Sequence, residues 1–291
     1  MDAKAPVLPS TTTHPSVQAQ VGDGFYIQRA LPVEGRGPAF LDPFLLLDHA
    51  GPTTFGPSTK ARGVGPHPHK GFETVTLVYQ GDLRHRDSAG NTGQLGVGDV
   101  QWMTAGAGIV HEELHGPTLT QQGGTLEMVQ LWINLPARDK SVAPHYRDLR
   151  AQSFPTIPLT EAGTNYVRLV AGVWEGYTGP AHTYTPLTLA DLYLEPGLET
   201  KISLDRKWHT GLYVLRGGVS VNGESVAEHG LATVRDEGEV TVKAFAESHL
   251  LLLSGLPIAE PIAISGPFVM NTEDEVRTAR REFADGLYGK L

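Results

Sequence analysis

The 291-residue chain contains no cysteine. Disulfides, zinc–thiolate sites, iron–sulfur clusters and cysteine nucleophiles are therefore excluded, and any bound metal must be held by nitrogen and oxygen. Positive charge is also short. The 23 Lys and Arg face 32 Asp and Glu, giving a net charge of −9 at pH 7, and no basic run occurs. A nucleic-acid surface needs clustered Lys and Arg, so direct binding of DNA or RNA is not expected. No apolar run reaches the length of a membrane span, and the N-terminus lacks a basic start followed by an apolar core. The expectation is a soluble, cytoplasmic protein with no membrane contact. Helical periodicity is scarce too, and is clear only near the C-terminus.

Glycine and proline are plentiful, at 34 and 21, and hydrophobic residues make up 40%, enough for a real core. With many Val, Leu and Thr, this composition suits short strands joined by tight turns. Residues 1–20 have few large apolar groups and read as a disordered leader. Phe25-Tyr26-Ile27 starts the strands, and the dense run Phe44 to Leu47 should be buried until Gly51-Pro52 breaks it. Ser88 to Gly93 has the chemistry of a hairpin loop, and Leu126 to Leu135 reads as a long strand. Residues 136–158, rich in Pro and charge, read as a connector. A second series of strands and turns runs from Tyr166 to Leu253 and includes Asn222-Gly223, the strongest hairpin signal in the chain. Thr272 to Glu275 fits a capping box, Val276, Ala279, Phe283 and Leu287 form a helical stripe, and Gly286 suits the C-terminal cap. The pattern is all-β, with two related barrels or sandwiches over residues 21–150 and 151–291, the second ending in a short helix.

Two stretches carry chemistry. His67-Pro68-His69 and, about forty residues on, His111-Glu112-Glu113 each offer two candidate ligands spaced i, i+2. On a strand that spacing puts both side chains on one face. His67, His69, His111 and Glu113 are thus candidate ligands of a divalent transition metal. Glu112 would face away from His111. If the strand runs regularly from His67, Glu73 shares the ligand-facing side, either as a proton-transfer or supporting group or as a buried hydrogen-bonding residue. His49, His85 and His115 are single histidines that read as structural, although each could lie near the site. Trp102 and Trp132 read as core. His182, His209, His229 and His249 are isolated, so the second half is assigned no metal.

Six segments resemble the pirin family of the cupin superfamily: residues 42–49 (DPFLLLDH), 67–75 (HPHKGFETV), 98–106 (GDVQWMTAG), 108–113 (GIVHEE), 131–135 (LWINL) and 266–272 (GPFVMNT). Counting flanking matches, the resemblance spans residue 28 or so to the end. It implies two cupin (double-stranded β-helix, or jelly-roll) barrels with metal only in the first. The ligands it implies are His67, His69, His111 and Glu113 around a single Fe(II). Nitrogen and oxygen donors would also take Mn, Co, Ni, Cu or Zn. Thr104 stands where many cupins have Pro, a departure shared with pirins.

The resemblance further implies oxidative ring cleavage of a flavonol such as quercetin, as in quercetin 2,3-dioxygenase. The substrates would be a small aromatic or enol compound and O2, with Glu73 as a candidate catalytic proton acceptor. The alternative it implies is a non-catalytic, iron-dependent regulator that binds a protein partner, either a transcription factor or a metabolic enzyme.

Overall fold

A computed structural model describes residues 11–235 and 237–291. Its first strands are β1 (Thr11–Pro15), β2 (Val17–Val21), β3 (Phe25–Leu31), β4 (Phe44–Phe55), β5 (Gly63–His69) and β6 (Phe72–Gln80). Next come β7 (Leu83–Asp87), β8 (Thr92–Leu95), β9 (Val100–Thr104), β10 (Ile109–His115), the short helix α1 (Pro117–Gln122), β11 (Gly124–Asn134) and β12 (His145–Leu149). The second half brings β13 (Thr156–Pro158), β14 (Tyr166–Ala171), β15 (Val173–Trp174), β16 (Tyr177–Thr178), β17 (Leu187–Leu194), β18 (Glu199–Ser203) and β19 (His209–Arg216). It closes with β20 (Gly218–Val221), β21 (Glu224–Ala227), β22 (Gly230–Val234), β23 (Glu239–Ala244), β24 (Ser248–Gly255), β25 (Ala263–Ser265), β26 (Phe268–Met270) and helix α2 (Glu273–Ala284).

These strands build two barrels with the same plan. The first joins a seven-stranded sheet, β12-β9-β6-β11-β4-β3-β2, to a four-stranded sheet, β5-β10-β7-β8. The second joins β1-β22-β19-β24-β17-β14-β13 to β18-β23-β20-β21. The four-stranded sheets meet solvent on one side, and β7 accordingly alternates buried and exposed residues. The seven-stranded sheets pack back to back. Their shared core takes Val75, Leu77 and Leu131 from the first and Leu189, Tyr213 and Leu251 from the second. Both faces of these sheets are covered, which is why all eight residues of β24 are buried. No helix among the described residues is long and apolar enough to cross a membrane.

A charged cluster sits in this largely apolar interface. Asp191, fully buried on β17, accepts Tyr79 Oη from the first barrel at 2.7 Å and lies 2.9 Å from His249 Nε2. Arg168 donates to its other oxygen through Nε at 2.9 Å and Nη2 at 2.6 Å, and reaches back to the Gly98 carbonyl at 2.7 Å. Burial alone would raise the Asp191 pKa. The Arg168 charge, with the His249 and Tyr79 bonds, instead holds it well below the usual carboxylate range.

Three expectations change. Residues 11–20 are not a disordered leader: β1 pairs with β22 of the second barrel, Thr11 opposite Val234, and β2 pairs with β3. Backbone pairing at a sheet edge orders a segment that has little apolar content. Residues 1–10 of that expected leader lie outside the described residues. Gly51-Pro52 does not end β4. Gly51, with φ at 87°, absorbs a register shift against β11 and the strand continues to Phe55. The apolar stripe of α2 is only partly used, with Val276 and Ala279 buried but Phe283 and Leu287 exposed.

Other local signals take the form anticipated for them. Asn222 and Gly223, with φ at 49° and 86°, turn the β20–β21 hairpin. Thr272 and Glu275 cap α2 reciprocally, and Gly286 follows it at φ 77°. α2 docks on the first barrel, where Ala279 and Tyr288 pack with Val110 and Phe268. Lys70 Nζ meets Glu282 there at 2.8 Å.

Removing Asp191 leaves the Arg168 charge buried without its partner. Asp191→Ala is expected to lower stability in urea unfolding by about 3–5 kcal/mol, and Tyr79→Phe by about 1 kcal/mol. An Asp191→Ala loss no larger than that of Tyr79→Phe would show that the cluster does not hold the barrels together.

Candidate metal centre

β5 and β10 pair antiparallel, with His111 opposite His67 and Ile109 opposite His69. Directly opposed residues share a face, so the three imidazoles meet inside the first barrel. Their ring centroids lie 4.8 Å (His67–His69), 4.3 Å (His67–His111) and 4.8 Å (His69–His111) apart. One ring nitrogen from each falls within 4.8 Å of the other two. His69 and His111 are 4% and 2% exposed, while His67 is half-buried and forms the open side. Phe72 and Trp132 pack on His69 with centroids at 5.1 and 5.4 Å.

Two of the three rings are held in the form that binds metal. Burial, followed by repulsion from His67, pushes His69 well below the ordinary imidazole pKa. His111 is pushed down by burial, then by His69 and His67. Neutral imidazoles keep a lone pair for coordination. His67 Nδ1 donates to the Gly65 carbonyl at 2.8 Å, which leaves Nε2 as its lone-pair nitrogen. His69 Nδ1 and His111 Nε2 are buried without a hydrogen-bond partner. Buried polar atoms are rarely left in this state, so these residues fit a divalent ion.

Glu113 stands next to the trio on the His111 side. Its Oε2 lies 3.9 Å from His111 Nε2, and its Oε1 accepts Thr76 Oγ1 at 3.1 Å. A bulge separates the two residues on the β5 side, yet the ladder to β7 stays regular, so His111 and Glu113 share a face. Glu112 points the other way and pairs with Arg86 at 2.6 Å.

Two family models match the chain. The pirin model covers residues 25–133, and the model of the pirin C-terminal cupin domain covers 189–289, one on each barrel. A Pseudomonas aeruginosa protein named "Putative quercetin 2,3-dioxygenase" is 44% identical over 92% of this chain and 93% of its own. The chain belongs to the pirin family. A tomato pirin-like protein is 39% identical over 92% of this chain and 88% of its own. The crystal structure of a quercetin 2,3-dioxygenase from Acinetobacter baumannii superposes with a TM-score of 0.92, covering 96% of this chain and 97% of that one at 40% identity. Both barrels are of the cupin type.

In this pirin Glu73 is not at the imidazoles, contrary to the side expected from a regular strand. Lys70 and Gly71 separate β5 from β6, and Gly71 has φ at 84°. A Cβ at Gly71 would lie 2.0 Å from the Val269 carbonyl, so only glycine fits the turn. The turn resets the alternation. Phe72 and Thr76 face the imidazoles and Glu113, while Val75 and Leu77 join the core between the barrels. Glu73 shares that second side. It is 1% exposed, and its Oε1 accepts Trp102 Nε1 at 3.0 Å and Thr104 Oγ1 at 2.7 Å. Burial raises its pKa to about 7, only partly opposed by these two bonds.

The single histidines lie outside the cluster. His85 faces Asp148 at 3.3 Å, His115 bonds the Gly24 carbonyl at 3.0 Å, and His49 lies 3.4 Å from Glu127 in the interface. Of the two tryptophans read as core, Trp102 belongs to the core between the barrels, whereas Trp132 reaches the site. Lys140 was not anticipated. It is buried and donates to the Gly71 carbonyl at 2.8 Å, Asn134 Oδ1 at 2.7 Å and the Val269 carbonyl at 3.1 Å, pinning the turn beside the site. Burial lowers its pKa to about 8.

The Glu73 pKa has a testable consequence. The folded protein keeps this proton up to about pH 7, whereas the unfolded chain releases it near 4.5. Its contribution is therefore fully present below pH 4.5 and is lost as pH rises through about 7. Relative to wild type, Glu73→Gln should gain stability between pH 5 and 8, by on the order of 3 kcal/mol at most. Thermal unfolding of both proteins across that range measures the difference, and a pH-independent difference would refute the shift.

Proposed function

We propose that this pirin is a metal-dependent dioxygenase that cleaves a small enol-bearing aromatic, of which a flavonol such as quercetin is the model substrate. The observation that carries the reading is the trio of imidazoles, two of them pushed toward the neutral form and with buried nitrogens lacking partners, beside the Glu113 carboxylate. The names of the Pseudomonas and Acinetobacter relatives support it. His67, His69, His111 and Glu113 would hold one ion, with Fe(II) as the proposed metal. Three imidazoles and a carboxylate leave about two positions open on an octahedral ion. Such an ion supplies Lewis acidity, favouring the deprotonated form of an enol oxygen.

The remaining work falls to this chain's own side chains. Thr76 Oγ1, 2.8 Å from Gln130 Oε1 and 3.1 Å from Glu113 Oε1, ties the carboxylate to the β6–β11 wall. Phe72 and Trp132, 4.5 Å apart by their centroids, back His69 with a rigid apolar wall. The half-buried His67 marks the side from which a planar substrate approaches. Glu73, behind the sheet, takes no part in moving the substrate proton.

Anaerobic reconstitution with Fe(II), elemental analysis, oxygen uptake and flavonol bleaching test the reading together. About one metal per chain is expected, with turnover of a flavonol or related enol. His69→Ala and His111→Ala should lose the metal. Glu113→Gln should weaken affinity roughly 10- to 100-fold, whereas Glu112→Gln should leave it unchanged. Tight iron without turnover across flavonols and enols would overturn the enzyme reading. Full metal retention in His111→Ala would overturn the site.

A further inference from the structure

The second barrel repeats the first strand for strand, with β18 and β23 standing where β5 and β10 stand. Inward positions on these two strands carry Ile202, Val240 and Val242, all part of the second barrel's core. Aliphatic carbon has replaced the donors, yet the mouth has not closed. A cavity of about 420 Å³ opens there. That lies within the range of small-molecule sites, which favour the mouths of β-barrels.

Its lining has a consistent chemistry. Trp174, on the β15–β16 hairpin, and Trp208, just before β19, both stand in the wall. Trp174 Nε1 is buried with no acceptor. Thr188 and Ser254 lie deep, 8% and 3% exposed, and Ser254 Oγ is 2.8 Å from Thr210 Oγ1. Glu175 and Asp205 are exposed at the rim. Lys201 is the one cation among the described lining residues, and Glu239 holds it at 2.7 Å.

We propose that this mouth binds a neutral, polyhydroxylated ring the size of a monosaccharide or cyclitol. Exposed carboxylates and a neutralised lysine disfavour phosphorylated or carboxylated molecules. Indoles offer flat apolar faces to the C–H side of such a ring. Its hydroxyls both donate and accept, matching the rim carboxylates, the deep Thr188 and Ser254 hydroxyls and the unpaired Trp174 donor. An organic cation would use the indoles and carboxylates but would leave the deep hydroxyls unused.

The chain has four tryptophans, and the other two, Trp102 and Trp132, lie in the first barrel. Indole N–H resonances of the ¹⁵N-labelled full chain, loaded with diamagnetic Zn(II), therefore report on both barrels at once. Titration with glucose, galactose and myo-inositol should move the Trp174 and Trp208 signals saturably and leave Trp102 and Trp132 in place. Trp208→Ala and, with less structural risk, Ser254→Ala should each weaken binding, the former by roughly tenfold or more. Three results would overturn the proposal: no shift with any polyol up to about 50 mM; shifts with choline or glucose 6-phosphate but not with neutral polyols; or movement of Trp132 in place of Trp174 and Trp208.

Discussion

The central strands of each seven-stranded sheet are apolar on two faces, and only one of those faces can be covered by its own barrel. The other must find a partner, and the back of the second large sheet supplies it. Much of the molecule follows from that pairing. It fixes the barrels relative to each other and explains why the central strands lack the alternation seen in β7. A charge can survive in such a place only if it is fully bonded. Asp191 meets this condition through Arg168, Tyr79 and His249, drawn from both barrels. The imidazoles stand on β5 and β10 of the four-stranded sheet, but Phe72 and Trp132, which pack on His69, belong to a wall whose far side cannot shift independently.

Much of the architecture was legible because local signals and global packing agree. Asn222-Gly223 demands positive φ and has it. The capping box at Thr272 forms both of its bonds. The paired histidines lie where strand alternation puts them, and the same alternation separates Glu113 from Glu112. What escaped is non-local. Nothing in the composition of residues 11–20 shows that β1 is claimed by a sheet edge more than two hundred residues away. β12 lies unannounced in the Pro-rich connector for the same reason, since it is defined by its pairing with β9.

Glu73 was misplaced by a single residue. Alternation is a rule for an unbroken strand, and Gly71 breaks it with a backbone conformation that only glycine adopts comfortably. The sequence does mark the spot, because a glycine inside a strand pattern signals a kink or a close backbone approach. Read that way, Thr76 would have been placed beside Glu113, and Glu73 with Trp102. Lys140 carries no comparable mark. A lysine in a charged stretch is ordinarily solvated, and only the fold reveals three acceptors converging on it.

The ends of the chain are exchanged: β1 completes the second barrel, while β26 and α2 lie against the first. The backbone of Lys70, next to His69, bonds Pro267 and Val269 on either side of Phe268, and the Pro267 carbonyl also bonds the His69 ring. The support behind a histidine of the first barrel is thus supplied by residues that follow the whole second barrel in the chain. The site therefore acquires its final shape only once β26 has docked beside β5. A chain truncated before Pro267 would present the imidazoles without the backing that orients them.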